Sequence, residues 1–257
     1  MDTQTVQERV KRHRFYQTID LGEGLSTPGT PTGPKQRLVL ERIRTLGLHG
    51  KRAVDLGCAN GLFALEAESR AAQEVLAVDN TKANIDSMHD VILPARGSKV
   101  RPVHLNVLDF DAEQYGQFDL VIFAGLLYHL RYPFLALKLI RDLVPDGGDL
   151  ILETGIIEDF NINSVLYCPS AVDSPQKTRG GNACSFFNER ALLESLRQFG
   201  FKPLWKQTTA SPVRRLIKKI YRKSLTRYRI SNIVVHCRRD HGLDDEKLQG
   251  FYEARTH

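Results

Sequence analysis

The stretch from residue 53 to residue 63, AVDLGCANGLF, constrains the fold of this chain more than any other. Its apolar run, which includes the β-branched Val54, stops at Gly57, and a helical pattern follows Gly61. The order is therefore strand, tight turn and helix. Because glycine lacks a Cβ atom, Gly57 and Gly61 let the backbone turn sharply and let a ligand lie against it. A connection that binds nothing has the same pattern, so the glycines alone leave both interpretations open.

Two acids strengthen the interpretation as a ligand site. Asp55 lies where the first strand ends, and Asp79 ends a second predicted strand, residues 75–79. An acid at the end of the second strand is expected to bind the hydroxyl groups of a ribose. The dinucleotide-binding fingerprint is absent, because Ala59 and Leu62 stand where it requires glycine. The loop with its two acids resembles the nucleotide-binding loop of class I S-adenosylmethionine-dependent methyltransferases.

Strands alternate with helices from residue 52 to residue 154, as they do in parallel, doubly wound α/β sheets. Two further strands are predicted at residues 202–208 and 230–237. The resemblance implies a Rossmann-like, mostly parallel sheet of seven strands, which is the class I methyltransferase fold. We predict three regions: an N-terminal helical or lid segment (1–50), the methyltransferase domain (51–239) and a polar tail (240–257).

The composition suits a single α/β domain. The chain has 257 residues, and its 42% hydrophobic content is enough to fill a core. It has no apolar run of bilayer-spanning length and no apolar signal near its first residues, so we expect a cytoplasmic protein. The four scattered cysteines form no metal-binding pattern, so we expect reduced thiols and no zinc site. A net charge of +6 permits an anionic partner without requiring one.

The N-terminal region is expected to hold two helices, residues 6–17 and 35–48, separated by a loop. Residues 22–34 are rich in Gly, Ser, Thr and Pro, a composition that continues neither a helix nor a strand. The loop is either a flexible linker or a lid that closes over a cofactor.

The resemblance to class I methyltransferases implies which residues bind S-adenosylmethionine. The adenosyl group is expected to lie over residues 57–61, with its ribose at Asp79 and its adenine near Asp109. An equally good interpretation is that Asp109 caps the next helical turn. The expected cofactor-binding residues are Asp55, Gly57, Cys58, Ala59, Asn60, Gly61, Asp79, Asn80, Leu108, Asp109, Ala124 and Tyr16.

Chemistry is expected after the fourth strand, residues 118–123, because ligands of open parallel sheets bind beyond the carboxyl ends of the strands. His129 follows there beside Tyr128, and a neutral histidine accepts a proton from a hydroxyl or amine as a methyl group arrives. His129 is the candidate base, and Tyr128 is the candidate group near the sulfonium or the acceptor. Alternatively, His129 caps the helix predicted at residues 133–144 or bonds its own loop. The Asn/Asp-Pro-Pro-aromatic sequence of enzymes that methylate amino groups of nucleic-acid bases is absent, which argues against that reaction.

Two irregular regions lie on either side of the helix predicted at residues 187–200. Residues 155–185 are too irregular for a core element and are expected either to bind substrate or to be disordered. Residues 211–229 form a basic insertion in which an amphipathic helix is predicted. Its interpretations are a helix packed on the domain, contact with an anionic lipid surface, or contact with a phosphate-bearing substrate such as RNA. The cations concerned are Arg214, Arg215, Lys218 and Lys219.

Narrower motifs resemble one family more closely. Residues 15–21, 27–29, 127–131 and 152–154 resemble those of the bacterial tRNA uridine carboxymethyltransferase and its relatives. That family holds a carboxylated form of S-adenosylmethionine with a lysine, a tyrosine and an arginine, and Tyr128 is the counterpart of the tyrosine. The lysine and the arginine have no counterpart on a matching motif, which favours ordinary methyl transfer.

We therefore predict methyl transfer from S-adenosylmethionine to an oxygen or nitrogen atom of a small-molecule acceptor of biosynthetic or glycan type. The alternative is a tRNA-modifying (carboxy)methyltransferase. A third hypothesis is an interaction protein that keeps the methyltransferase scaffold without the activity.

Overall fold

The computed structural model describes residues 2–158, 163–170, 177–178, 181–182, 184–209 and 230–244. The α-helices of this part are α1 Thr3–Val10, α2 Pro34–Arg44, α3 Leu62–Ser69, α4 Lys82–Ser87, α5 Leu93–Arg96, α6 Ala112–Tyr115, α7 Pro133–Leu143 and α8 Glu189–Gln198. The strands are β1 Asp20–Gly22, β2 Leu25–Ser26, β3 Arg52–Leu56, β4 Glu74–Asp79, β5 Arg101–His104, β6 Leu120–Ala124, β7 Asp149–Ile157, β8 Leu166–Tyr167, β9 Lys177–Thr178, β10 Gly181–Asn182, β11 Phe186–Asn188, β12 Phe201–Thr208 and β13 Ile230–Arg239.

The central sheet has the strand order β12-β13-β7-β6-β3-β4-β5. Strands β3 to β7 pair in parallel, and β13 runs antiparallel to both of its neighbours. The predicted α/β class and the mostly parallel, doubly wound sheet are confirmed. The carboxyl ends of β3, β4, β6 and β7 meet at one edge, where the predicted site residues of the sheet lie.

Two short strands extend this sheet beyond the predicted seven. Strand β7 pairs with β6 as far as Glu153, and its last residues, Ile156 and Ile157, pair in parallel with β11. Strand β8 then pairs with β11. The expectation that residues 155–185 hold no core element is therefore wrong for residues 155–157, which are buried in β7. Strand β7 is buried along its whole length, because β13 pairs with one side of it and β6 and then β11 pair with the other side.

Two apolar layers cover the two faces of the sheet. Ala53, Ala77 and Ile122 face a cluster that includes residues of α2 and α3, while their strand neighbours face a second cluster with α7 and α8. Central strands of this kind are buried on both faces, which explains their nearly continuous apolar sequences.

The N-terminal segment differs from the expected helix at residues 6–17, because α1 ends at Val10. Beyond a turn at residues 11–13, the backbone bonds to the Gly- and Pro-rich loop instead: Thr18 N donates to Thr30 O, and Thr30 N donates to Tyr16 O, both at 3.0 Å. The Gly- and Pro-rich loop is also packed. The buried Thr27 hydroxyl donates to Gln17 O at 2.7 Å. Residues 22–34 are therefore not a free linker, and their role as a lid stays a prediction.

No helix in the ranges given above is long and apolar enough to cross a membrane. Several predictions lie outside the described residues. They are the basic insertion with Arg214, Arg215, Lys218 and Lys219, most of the polar tail, and residues 159–162, 171–176, 179–180 and 183 of the expected substrate loop.

Candidate active site

The turn between β3 and α3 is tightly wound. Gly57 N and Cys58 N both donate to Val78 O, at 2.8 and 3.0 Å, which fixes the turn against β4. Gly57 and Gly61 have φ angles of +78° and +87°. A Cβ atom on Gly61 would lie 2.5 Å from Met88 Cε. The positive φ angles favour glycine at both positions, and a side chain on Gly61 would also have to displace the end of the Met88 side chain.

Asp79 supports this turn from the end of β4. Its Oδ2 accepts from Ala59 N at 2.8 Å, and its Oδ1 accepts from Thr81 N at 2.8 Å and from Asn84 Nδ2 at 3.2 Å. A carboxylate has about four acceptor positions, so three bonds leave one for a ligand. The side chain is almost buried at 8% exposure. The geometry suits a ribose hydroxyl, and the neighbouring Asn80 is exposed.

Asp55 lies beneath the turn and is fully buried. Its Oδ2 accepts from Ala64 N at 3.2 Å in the first turn of α3. The pKa of Asp55 is raised to about 8, because burial outweighs the opposing hydrogen bond from Ala64 and the nearby Asp79 adds to the rise. Asp55 therefore carries a proton at neutral pH, and an approaching cation favours its ionised form.

Asn60 joins the turn to the N-terminal segment. Its Oδ1 accepts from Tyr16 N at 2.7 Å and Gln17 N at 3.3 Å, and its Nδ2 donates to Ser87 Oγ at 2.8 Å. The side chain is completely buried. These bonds give the Asn60 side chain a positioning role, which the sequence did not reveal because its partners come from a distant segment. Tyr16 itself is 60% exposed above the turn.

The remaining expected cofactor residues lie along the same edge. Cys58 is buried, Leu108 and Ala124 are half-buried, and Asp109 is exposed. The interpretation of Asp109 as a helix cap is wrong, because Asp111 accepts from Gln114 N at 2.7 Å and caps α6.

Tyr128 and His129 lie in a short 3₁₀ turn after β6. Leu126, just before this turn, packs on the nucleotide loop, since its Cδ2 lies 2.9 Å from a Cβ built on Gly57. The Tyr128 ring stacks on Phe186 with centroids 6.1 Å apart, and the His129 ring is 4.2 Å from Tyr128. Burial, followed by the charge of Lys35, lowers the pKa of His129. His129 is therefore neutral at pH 7. The N-cap of α7 is Tyr132, so the capping interpretation of His129 is wrong.

Lys35 and Glu153 are site residues that sequence reasoning missed. Lys35, at the start of α2, places its Nζ 3.5 Å from Glu153 Oε2 and 5.9 Å from the centre of the Tyr128 ring. Glu153 Oε1 accepts from Asn232 Nδ2 at 2.7 Å. Burial raises the pKa of Glu153, while Lys35 and Asn232 oppose the rise. Burial disfavours the Lys35 ammonium, but Glu153 and the nearby tyrosines outweigh it and raise the pKa of Lys35.

A signal for Glu153 was present, since it is a lone acid inside the apolar strand LILETGII. Lys35 had no comparable signal. A lysine at the start of an amphipathic helix is usually solvated, and its contact with β7 depends on the tertiary fold.

The sequence matches the model of the methyltransferase domain family over residues 33–206. The chain belongs to this family. It is a class I S-adenosylmethionine-dependent methyltransferase, as the resemblance of its motifs implied.

Two curated relatives are similar over parts of their length. The tRNA U34 carboxymethyltransferase of Pseudomonas putida (strain GB-1) is 34% identical over 158 residues, which are 61% of this chain and 47% of the relative. That of Methylococcus capsulatus is 35% identical over 111 residues, covering 43% of this chain and 34% of the relative. The chain thus matches between a third and a half of the length of these relatives.

A solved structure supports the fold. The N-terminal domain of EvdMO1, crystallised in the presence of SAH and D-fucose, superposes with a TM-score of 0.67 at 18% identity. The match covers 93% of this chain and 97% of that chain. At this identity the likeness establishes the fold alone.

Proposed function

We propose that this methyltransferase acts on an oxygen or nitrogen atom of a small-molecule acceptor of biosynthetic or glycan type. The observation that carries the proposal is the contact between the nucleotide loop and the turn that holds His129. Leu126 packs against Gly57, and a neutral, half-buried histidine follows three residues later. A group that accepts protons therefore lies beside the expected position of the cofactor.

The cofactor is proposed to follow the carboxyl edge of the sheet. Its adenosyl group would lie over residues 57–61, its ribose on the free acceptor position of Asp79 beside Asn80, and its adenine near Leu108 and Asp109. The methionine part would lie near Ala124 and Tyr16. The positive φ angles of the glycines and the three bonds that hold Asp79 support this arrangement, because they form a rigid cradle open to a ligand.

S-adenosylmethionine supplies an electrophilic methyl group on its sulfonium sulfur. The protein's contribution is to position the acceptor in line with that methyl group and to remove a proton from the acceptor. Positioning is the larger effect, because holding two reactants together replaces a bimolecular encounter. His129 is proposed to take the proton, and Tyr128 to form the wall between His129 and Phe186 of β11.

A tRNA-modifying (carboxy)methyltransferase remains the second candidate, and the names of the curated relatives favour it. One of these relatives matches 61% of this chain at 34% identity. On this hypothesis the basic insertion would contact phosphates through Arg214, Arg215, Lys218 and Lys219, in addition to any contact with small ligands.

Two measurements separate these candidates. Native mass spectrometry of the purified protein identifies the adenosyl compound that it retains: S-adenosylmethionine or its demethylated product supports the first proposal, and a carboxylated cofactor supports the second. Labelled methyl transfer is then followed with metabolite extracts and with unmodified tRNA. Activity on tRNA that falls steeply between about 50 and 200 mM salt, and that is lost when the four cations are changed to Ser, would overturn the small-molecule proposal.

A further inference from the structure

The geometry points to a more specific acceptor: we propose that Lys35 donates a hydrogen bond to the atom that is methylated, and that this atom is a hydroxyl oxygen rather than an amine nitrogen. This inference rests on the proposed function and narrows its substrate class.

Lys35 brings a positive charge to the candidate active site. The residue comes from α2, yet its ammonium group lies at the carboxyl edge of the sheet, 3.5 Å from Glu153 Oε2 and 5.9 Å from the centre of the Tyr128 ring. The same Tyr128 ring lies 4.2 Å from the candidate base, His129. The positive charge of Lys35 therefore lies close to Tyr128 and His129, where the acceptor is expected to react.

Exposure distinguishes Lys35 from its partner. The Glu153 side chain is 3% exposed, and one of its oxygens already accepts from Asn232. The Lys35 side chain is 28% exposed. Lys35 is therefore the member of the ion pair whose side chain is accessible from solvent.

Lys35 also retains donor capacity. An ammonium group has three N–H donors, and strong ammonium–carboxylate hydrogen bonds are about 2.7–2.9 Å long. The 3.5 Å separation from Glu153 is longer than that. Glu153 and Tyr128 are its side-chain hydrogen-bond partners, so a hydroxyl or alkoxide oxygen can take the third donor without breaking the ion pair.

The sign of the charge selects the acceptor. Burial lowers the pKa of Lys35, but Glu153, Tyr128 and Tyr16 outweigh this effect and raise the pKa, so Lys35 is protonated. A cation at this place stabilises an oxygen that becomes negative and repels a protonated amine. Burial lowers the pKa of His129, and the charge of Lys35 lowers it further, so the base is neutral.

Methyl transfer to a hydroxyl oxygen requires only the groups named above. The acceptor oxygen forms a bond to the methyl carbon while the carbon–sulfur bond breaks and its electron pair stays on sulfur. The hydroxyl proton passes to a ring nitrogen of His129. Lys35 keeps its own proton and stabilises the developing negative charge on oxygen.

The test uses 4-nitrophenol, whose ionised form is detected by its visible absorbance, bound to the protein with and without S-adenosylhomocysteine near pH 7. We expect bound nitrophenol to be ionised to a greater extent than free nitrophenol. Lys35→Met should weaken phenolate binding at least tenfold, Lys35→Arg should retain it, and the exposed-site control Lys138→Met should change it less than twofold.

Glu153→Gln provides the decisive contrast. Both Lys35→Met and Glu153→Gln break the same ion pair, so a merely structural pair would lose phenolate binding in both variants. Our proposal predicts opposite changes in phenolate affinity in the two variants, because Glu153→Gln removes a negative charge and should tighten phenolate binding. Equal losses in both variants, an unchanged affinity in Lys35→Met, or no binding of nitrophenol to the folded protein would overturn it. Loss of S-adenosylhomocysteine binding alone would contradict the proposed function and leave the nitrophenol comparison intact.

Discussion

Burial decides the protonation state of the ionisable groups around the site. It raises the pKa of the carboxyls of Asp55 and Glu153 and lowers the pKa of His129. Each shift disfavours a charge that water no longer solvates. Burial also disfavours the charge of Lys35, but Glu153 and two tyrosines outweigh it and raise the pKa of Lys35. The site thus combines a neutral base with one retained cation.

His129→Gln should lower the turnover number by about 10²- to 10⁴-fold, the usual contribution of a general base, while cofactor affinity changes little. The reason is that His129 is proposed to act on the acceptor proton and not on the adenosyl group. Turnover is measured by labelled methyl transfer and affinity by calorimetry with S-adenosylhomocysteine. The matched control is His49→Gln, at the opposite edge of the sheet. Unchanged turnover in His129→Gln would exclude its role as the base.

Asp55 predicts a pH dependence of stability. Its folded-state pKa of about 8 lies above the ordinary value of 3.8, so the folded protein binds a proton that the unfolded chain releases between these values. The free energy of unfolding should therefore fall as the pH rises through this range, by at most about 1.4 kcal/mol per pH unit. Asp55→Asn should remove that contribution. Urea unfolding at several pH values measures this pH dependence. The same dependence of the free energy of unfolding on pH in Asp55→Asn and in the unmodified protein would contradict the prediction.

At the scale of elements, the connection between β3 and α3 depends on glycine. Gly61 has a φ angle of +87°, and a Cβ atom there would have to displace the end of the Met88 side chain. Gly47 offers a matched comparison, because nothing lies within 4 Å of a Cβ built there.

Gly61→Ala should lower the free energy of unfolding by about 1–3 kcal/mol, the cost of a left-handed conformation in a residue with a side chain. It should also weaken the binding of S-adenosylhomocysteine, because the turn carries the proposed cradle. Gly47→Ala should leave both quantities nearly unchanged. Chemical unfolding and calorimetry provide the measurements, and equal effects of the two substitutions would show that the turn is not the constraint.

The N-terminal segment is held by Asn60, and this contact makes a prediction for local stability. Asn60→Ala leaves the amides of Tyr16 and Gln17 without their acceptor. It should lower the free energy of unfolding by about 1–3 kcal/mol. Hydrogen exchange at both amides should become faster. The control, Asn106→Ala, removes an exposed cap and should leave exchange at these amides unchanged. Slow exchange in Asn60→Ala would show that other contacts hold the segment.

At the scale of the whole molecule, local patterns predicted the parallel sheet, because each strand–turn–helix unit carries its own period and glycine turn. What local patterns could not predict were pairings between distant segments. Strand β11 was expected to be the start of a helix, and its pairing with Ile156 depends on the extra length of β7. The Lys35–Glu153 pair and the bonds of Asn60 likewise form only when separate elements meet. The fold was therefore more predictable than the site.

Cofactor binding at the end of β4 tests the central claim most directly. Calorimetry with S-adenosylhomocysteine should show one site per chain, and Asp79→Asn should weaken binding at least about tenfold, or about 1.4 kcal/mol, because it changes the proposed ribose acceptor. The control Asp86→Asn, which alters an exposed acid paired with Lys82, should bind within about twofold of the unmodified protein. If the unmodified protein does not bind this ligand, or if Asp79→Asn binds it equally well, the cofactor does not lie where we propose.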